Sequence, residues 1–353
     1  MRNFHFHGIR IVKTGIAIFL TAIICEWFHW PPVFAVITAI VTIEPTVSDS
    51  IKKGIVRFPA SAIGSAYAVF FIALFGNSPI TYTLAAVFTI LTCYKLNLHA
   101  GLLVATLTAV AMVEVIHSNY LISFFIRLGT TTTGLLVSTA VNMIVFRPDY
   151  RKDILVSIQN IGARAGTILE QTFRTILYDE HTNRKIDRVI IHQLNKEIMK
   201  TETLIRFQRD ESNLPTLLGG DHEGLLMAER QMAYLHNLDY HLGNLDYLPS
   251  NQISWSNSER DIIMHAVAEL ANDLQHPAAY NSEKHQLHLK NLTDLFWRNN
   301  EEITNNNEIH PTQFPPELVM LYELITIYNL VDRFYNPERT SSHEKSNTNS
   351  KTD

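Results

Sequence analysis

Residues 33–44 read Val-Phe-Ala-Val-Ile-Thr-Ala-Ile-Val-Thr-Ile-Glu, and residues 103–114 read Leu-Val-Ala-Thr-Leu-Thr-Ala-Val-Ala-Met-Val-Glu. At an offset of 70 they share Ala35/Ala105, Thr38/Thr108, Ala39/Ala109 and Glu44/Glu114. The same offset pairs Ser48 with Ser118, Arg57 with Arg127 and Gly64 with Gly134. Apolar matches carry little weight in an apolar stretch. Charged matches carry more, because charge is scarce here and two coincidences of like sign share one offset. The spacing predicts an internal repeat with three membrane spans in each copy. An odd number of spans turns the second copy over, which is the inverted repeat of transporters, where substrate sites lie near the midplane between copies.

Charge divides the chain at Pro148. The first 148 residues hold 9 Lys/Arg and 4 Asp/Glu, and the remaining 205 hold 20 and 30. A water-facing domain carries about a quarter charged residues, so the first part reads as a membrane domain and the second as a soluble one. The net charges, +5 and −10, differ in the same way. An acidic soluble part argues against nucleic acid, which is bound through Lys/Arg contacts to phosphate. Two cysteines, Cys25 and Cys93, are too few for a disulfide framework.

A bilayer core about 30 Å thick needs roughly 20 apolar residues per helix. Six spans are expected, at 11–30, 33–47, 51–75, 80–94, 100–116 and 120–146, the second and fourth being short. Trp27, Trp30, Pro31 and Pro32 mark an interfacial turn. Glu26-Trp27-Phe28-His29 offers no signal-peptide cleavage site. With the N-terminus inside, Arg2, Arg10, Lys13, Lys52, Lys53, Arg57, Lys95, Arg147, Arg151 and Lys152 fall on or near the inner face, and Arg127 alone falls outside. This positive-inside bias makes both termini cytoplasmic.

Ionised side chains inside a bilayer cost at least about 2.5–3.5 kcal/mol on insertion scales, so each calls for a partner or a task. Arg57, Ser61 and Gly64 fall at i, i+4 and i+7, on one helical face, and Arg127, Thr131 and Gly134 repeat the arrangement. Each face joins a cation, a hydroxyl and a small residue that lets another helix approach. Thr130 and its neighbours to Thr133 add hydroxyls in the second copy. A guanidinium binds a carboxylate bidentately, so an anion pathway follows. Glu44 and Glu114 each precede their arginine by 13 residues and are the expected counter-ions. Three roles stay open for these pairs: ties that hold a hairpin together, a gate opened when an incoming anion displaces the glutamate, or, through a protonatable Glu114, coupling of transport to protons. Pro59 is expected to bend or loosen the third span.

After Asp149 the period is helical. Ile154, Ile158, Ile161, Ala165 and Ile168 form one stripe, and Leu235, Leu238, Leu242 and Leu245 another. Six helices are expected near 149–178, 183–209, 222–248, 257–276, 283–304 and 315–335, with Pro215, Gly219-Gly220, Pro249, Pro277 and Pro311 in the loops. The tail from 337 to 353 is expected to be disordered. The fold class is therefore all-α: a six-helix membrane domain (1–148), a cytoplasmic helical bundle (149–336) and a tail. Eleven of the 16 histidines lie after Pro148. Without a metal-binding spacing, His236, His241, His285 and His288 read as solvated or capping residues, and no metal site, cofactor or enzyme motif is expected.

The chain resembles the bacterial aromatic acid exporter family, within the fusaric-acid-resistance-like membrane proteins that carry a C-terminal helical domain. The resemblance rests on Trp27–Pro32, on Arg57-Phe-Pro-Ala-Ser-Ala-Ile-Gly64, on Arg127-Leu-Gly-Thr-Thr-Thr-Thr-Gly134 and on Asn142-Met-Ile-Val-Phe-Arg-Pro148. Where the family pattern has Gly-Thr after the first arginine, this chain has Ala60-Ser61, with Pro59 before them. The resemblance implies export, or channel-type passage, of aromatic or other organic carboxylates across the plasma membrane by a homo-oligomer. A second class stays in view, a membrane-anchored scaffold or sensor whose helical domain binds a partner. Two embedded arginines separate the classes, because an anchor has no use for them.

Overall fold

A computed structural model describes residues 2–115, 120–145, 148–178, 188–213, 222–246, 254–306 and 314–336. These form twelve α-helices and no strand among the described residues. The chain divides into two compact units, Met1–Asp149 with Arg209–Leu217, and Tyr150–Gln208 with Leu218–Asp353. His117, the loop residues Pro215, Gly219, Gly220, Pro249 and Pro311, and the tail after 336 lie outside the described residues.

The first unit contains α1 (Arg2–Trp27), α2 (Pro32–Thr42), α3 (Val47–Phe75), α4 (Pro79–Lys95), α5 (Leu102–Val115) and α6 (Tyr120–Ile144). Three segments are long and apolar enough to cross a membrane: Gly8–Trp27, Val47–Phe75 and Tyr120–Ile144. Pro32–Thr42 and His99–Glu114 are shorter apolar helices. The 11 residues of α2 rise about 16 Å, half a bilayer core. Large apolar side chains are turned outward along these helices, among them Ile11, Phe19, Phe70, Leu121, Leu136 and Ile144. An outward apolar surface of that extent suits lipid rather than water.

Local chemistry sets the helix ends. Thr46 caps α3 by accepting the Asp49 N–H at 3.0 Å, and Ser78 caps α4 through the Thr81 N–H. Gly76, at φ +61°, closes α3 in a conformation that suits a residue without Cβ. α3 runs on through Pro59 as one helix.

The offset seen in the sequence recurs in the packing. A Cβ on Gly64 would sit 2.3 Å from the Ala105 carbonyl oxygen, and one on Gly134 would sit 2.4 Å from that of Ala35. The two couples are related by the same 70 residues. Burial also repeats: from Arg57 to Leu74 and from Arg127 to Ile144 the classes agree at every position except Phe58/Leu128. Backbones therefore touch at α3–α5 and α2–α6 through matched glycines, the close approach that small residues permit between apolar helices.

The second unit contains α7 (Arg151–Tyr178), α8 (Arg188–Ser212, to Gln208 in this unit), α9 (His222–Asp246), α10 (Asn257–Gln275), α11 (Ser282–Asn306) and α12 (Pro316–Tyr335). The stripes on α7 and α9 are buried in one core with Leu270, Leu274, Leu321, Leu324 and Ile327. Each fully buried Leu or Ile there contributes roughly 1.5–3 kcal/mol of apolar transfer.

Candidate functional site

The two arginines of the repeat are both buried, Arg57 at 6% exposure and Arg127 at 4%. Their surroundings differ. Arg57 Nη2 donates to Glu44 Oε1 at 2.7 Å, and its Nε lies 3.3 Å from the Ala100 carbonyl oxygen. Lys53 donates to the other Glu44 oxygen at 2.9 Å, so one carboxylate is shared by two cations.

That carboxylate stands on a braced loop. Asn142 of α6 donates through Nδ2 to the Glu44 and Thr46 carbonyls and to Ser50 Oγ, at 3.1, 3.2 and 2.9 Å. Lys13 of α1 donates to Asn142 Oδ1 at 2.9 Å, and Arg10 reaches the Ile43 carbonyl. A carboxylate fixed by its own backbone in this way has little freedom to leave its arginine.

Arg127 has no such partner. Its Nη2 donates to Thr108 Oγ1, and its guanidinium carbon lies 4.0 Å from the centre of the Phe34 ring. Its Nε and Nη1 are buried without a hydrogen-bond acceptor. The expected counter-ion is corrected here: Glu114 is exposed and accepts the Tyr82 hydroxyl at 2.6 Å. Among the described residues no carboxylate pairs with Arg127. The position 70 residues before Asn142 is Ile72, whose side chain has no hydrogen-bonding group.

The remaining predicted residues connect to Arg127. Ser61 and Thr131, themselves 70 residues apart, are buried with their hydroxyls 3.2 Å apart. Ser61 also lies 3.3 Å from Thr108 Oγ1, the acceptor for Arg127. Thr130 donates to the Arg127 carbonyl at 2.9 Å. Thr132 and Thr133 bond back to their own helix. Arg127 and Thr130, with Pro31, Phe34, Met112, Ser123 and Ile126, line a cavity of about 80 Å³. Thr108 and Phe34 were not singled out from the sequence as site residues, although both stand in the repeated stretches quoted above.

In the second unit the histidine expectation is corrected in part. His285 is buried, as is Glu323, which His241 contacts through Nδ1. Each ring replaces solvent with a fixed protein partner, which a purely solvated reading does not allow.

The described residues are all helical, with three segments long and apolar enough to cross a membrane and, among them, a buried arginine that no described carboxylate pairs with. Residues 5–145 match the model of aromatic acid exporter family member 1. A UPF0421 protein of Oceanobacillus iheyensis is 47% identical over 348 residues, covering 98% of this chain and 99% of the relative. UPF0421 proteins of Bacillus cereus (37% identical, 94% of each chain) and Staphylococcus saprophyticus (36% identical, 92% and 96%) are also similar throughout. The chain belongs to the UPF0421 proteins, and its residues 5–145 are similar to the aromatic acid exporter family.

Proposed function

We propose that this protein carries aromatic or related organic carboxylates across the plasma membrane, as an exporter or channel, with Arg127 as the group the anion meets. The arrangement of six spans as two inverted triplets, with both termini and the helical second unit in the cytoplasm and several copies assembled together, belongs to the same proposal. The observation that carries it is the unpaired state of the Arg127 guanidinium. A cation buried without an acid is costly in a bilayer, and the Phe34 face offsets about 1–2 kcal/mol of that cost. An incoming carboxylate supplies what the site lacks, accepting from Nε or Nη1 while an aromatic ring packs on Phe34 and Ile126.

The cavity has about the volume of two or three waters. It admits a carboxylate head and not a whole benzoate, so passage requires the helices around it to part. Arg57 serves a different purpose: with Glu44 and Lys53 it closes the first copy as a structural tie. The test is efflux of labelled benzoate from vesicles containing the purified protein. Replacing Arg127 by Ala is expected to lower flux about 30-fold, the value of one charge-assisted hydrogen bond of about 2 kcal/mol. Unchanged flux with the variant still inserted removes Arg127 from the pathway, and no flux of any organic anion by the native protein favours a scaffold.

A further inference from the structure

The second unit contains a polar cavity of about 220 Å³ bordered by α10, α11 and α12. Its deepest polar group is His285 of α11, whose side chain is 0% exposed. Nε2 of this ring lies 2.9 Å from the Tyr328 carbonyl oxygen. A carbonyl can only accept, so Nε2 carries a proton, and in the neutral ring Nδ1 presents a lone pair. Nδ1 has no hydrogen-bond partner. The closest acidic oxygen is Asp273 Oδ2, 3.7 Å away, on a side chain only 10% exposed. That gap is too wide for a hydrogen bond: around a neutral ring the two groups are buried acceptors with no donor between them, whereas a protonated ring would form an ion pair with Asp273.

A donor with at least two hydrogens fits such a gap. Glu269, half-buried on the same wall, adds a second carboxylate and favours a cationic donor. The exposed rim has the opposite character. Lys284 stands there, and Asn281 uses its Oδ1 to accept the Glu283 and Lys284 N–H groups, which leaves its Nδ2 free to donate. A water occupies about 30 Å³ in the liquid, so one water satisfies the acceptor pair and leaves most of the cavity unused. Among the described residues no three His, Cys, Asp or Glu side chains are grouped to hold a metal ion.

We propose that this cavity binds a small primary-ammonium compound of amino-acid size, its ammonium seated between His285 Nδ1 and Asp273 and its polar or anionic end at Asn281 and Lys284. Such a ligand gives the second unit a recognition role of its own, independent of whether the first unit carries anions.

The experiment uses the full-length protein in detergent micelles and a panel of free α-amino acids with ethanolamine as probes, at millimolar concentration. Thermal melting is the first readout and calorimetric titration the second. At least one probe is expected to raise the melting temperature by about 5 °C at one hundred times its Kd. Its N-acetyl derivative, which lacks the ammonium, is expected to give no shift. Asp273→Asn keeps the side-chain shape and is expected to weaken binding at least about 10-fold, the loss of one charge-assisted hydrogen bond. If Asp273→Asn fails to fold, the comparison of free and N-acetylated probe on the native protein decides alone. No shift with any probe overturns the proposal, as does equal binding of the N-acetyl derivative or undiminished binding by a folded Asp273→Asn protein.

Discussion

Arg57 and Arg127 occupy one position in two copies of the same helix, with matching burial on either side, and they have opposite electrostatic surroundings. Arg57 shares a carboxylate with Lys53 on a loop braced by Asn142. Arg127 has a threonine hydroxyl, an aromatic face and two unused nitrogens. A repeat thus supplies a scaffold twice, and its two copies surround their arginines differently. A binding site needs that asymmetry, since a cation already neutralised has little left to give an anion. The largest expected effects test the shared scaffold. Gly64→Ala and Gly134→Ala each place a Cβ against a backbone carbonyl at 2.3–2.4 Å, a contact that only backbone movement relieves. Each is expected to destabilise the first unit by about 3 kcal/mol, read as loss of melting temperature in detergent. Equal losses support equivalent seams, and a loss at one glycine alone breaks the equivalence.

The next effect converts the closed copy toward the open one. Glu44→Gln keeps an acceptor for Arg57 but removes the charge, at a stability cost of about 2 kcal/mol. Arg57 then approaches the condition of Arg127, and titration with benzoate is expected to reveal a second, weaker binding event. Unaltered stoichiometry means that burial or access, rather than Glu44, keeps Arg57 from anions. A smaller effect concerns the ring. Phe34→Leu removes the aromatic face at the cavity and is expected to reduce the preference for aromatic over aliphatic acids about fivefold, near 1 kcal/mol of ring contact. Equal loss for both acid classes assigns Phe34 to holding the arginine alone.

Much of this arrangement was legible in the chain. Charge density separates the membrane part, and the 70-residue offset finds both arginines, both seam glycines and the Ser61–Thr131 contact. The isoleucine and leucine stripes mark the faces of α7 and α9 that enter the second core. What periodicity could not supply was partner choice. Glu44 and Glu114 stand at identical spacing from their arginines, and spacing alone makes their pairings identical. Glu44 stands on a loop that Asn142 holds from nearly a hundred residues later in the chain, and Glu114 bonds to Tyr82 of another helix. Long-range hydrogen bonds of that kind leave no periodic trace. His285 was misread for a related reason: its burial depends on Tyr328 and Asp273 from separate helices, and a histidine spacing of three says nothing about either.

The smallest expected effect is the sharpest check on the correction at Glu114. Its bond to Tyr82 is exposed, and exposed polar pairs contribute little because water competes for both groups. Tyr82→Phe removes the hydroxyl and leaves the carboxylate free to swing. If Arg127 functions without an acid, as its surroundings indicate, benzoate flux and its pH profile stay at the native level in this variant. A fall in flux, restored by adding Glu114→Gln, means that the freed glutamate has reached Arg127 and neutralised it. The second copy would then hold a latent gate with the chemistry of Glu44, and the two halves would differ in how tightly the acid is restrained rather than in whether one is present.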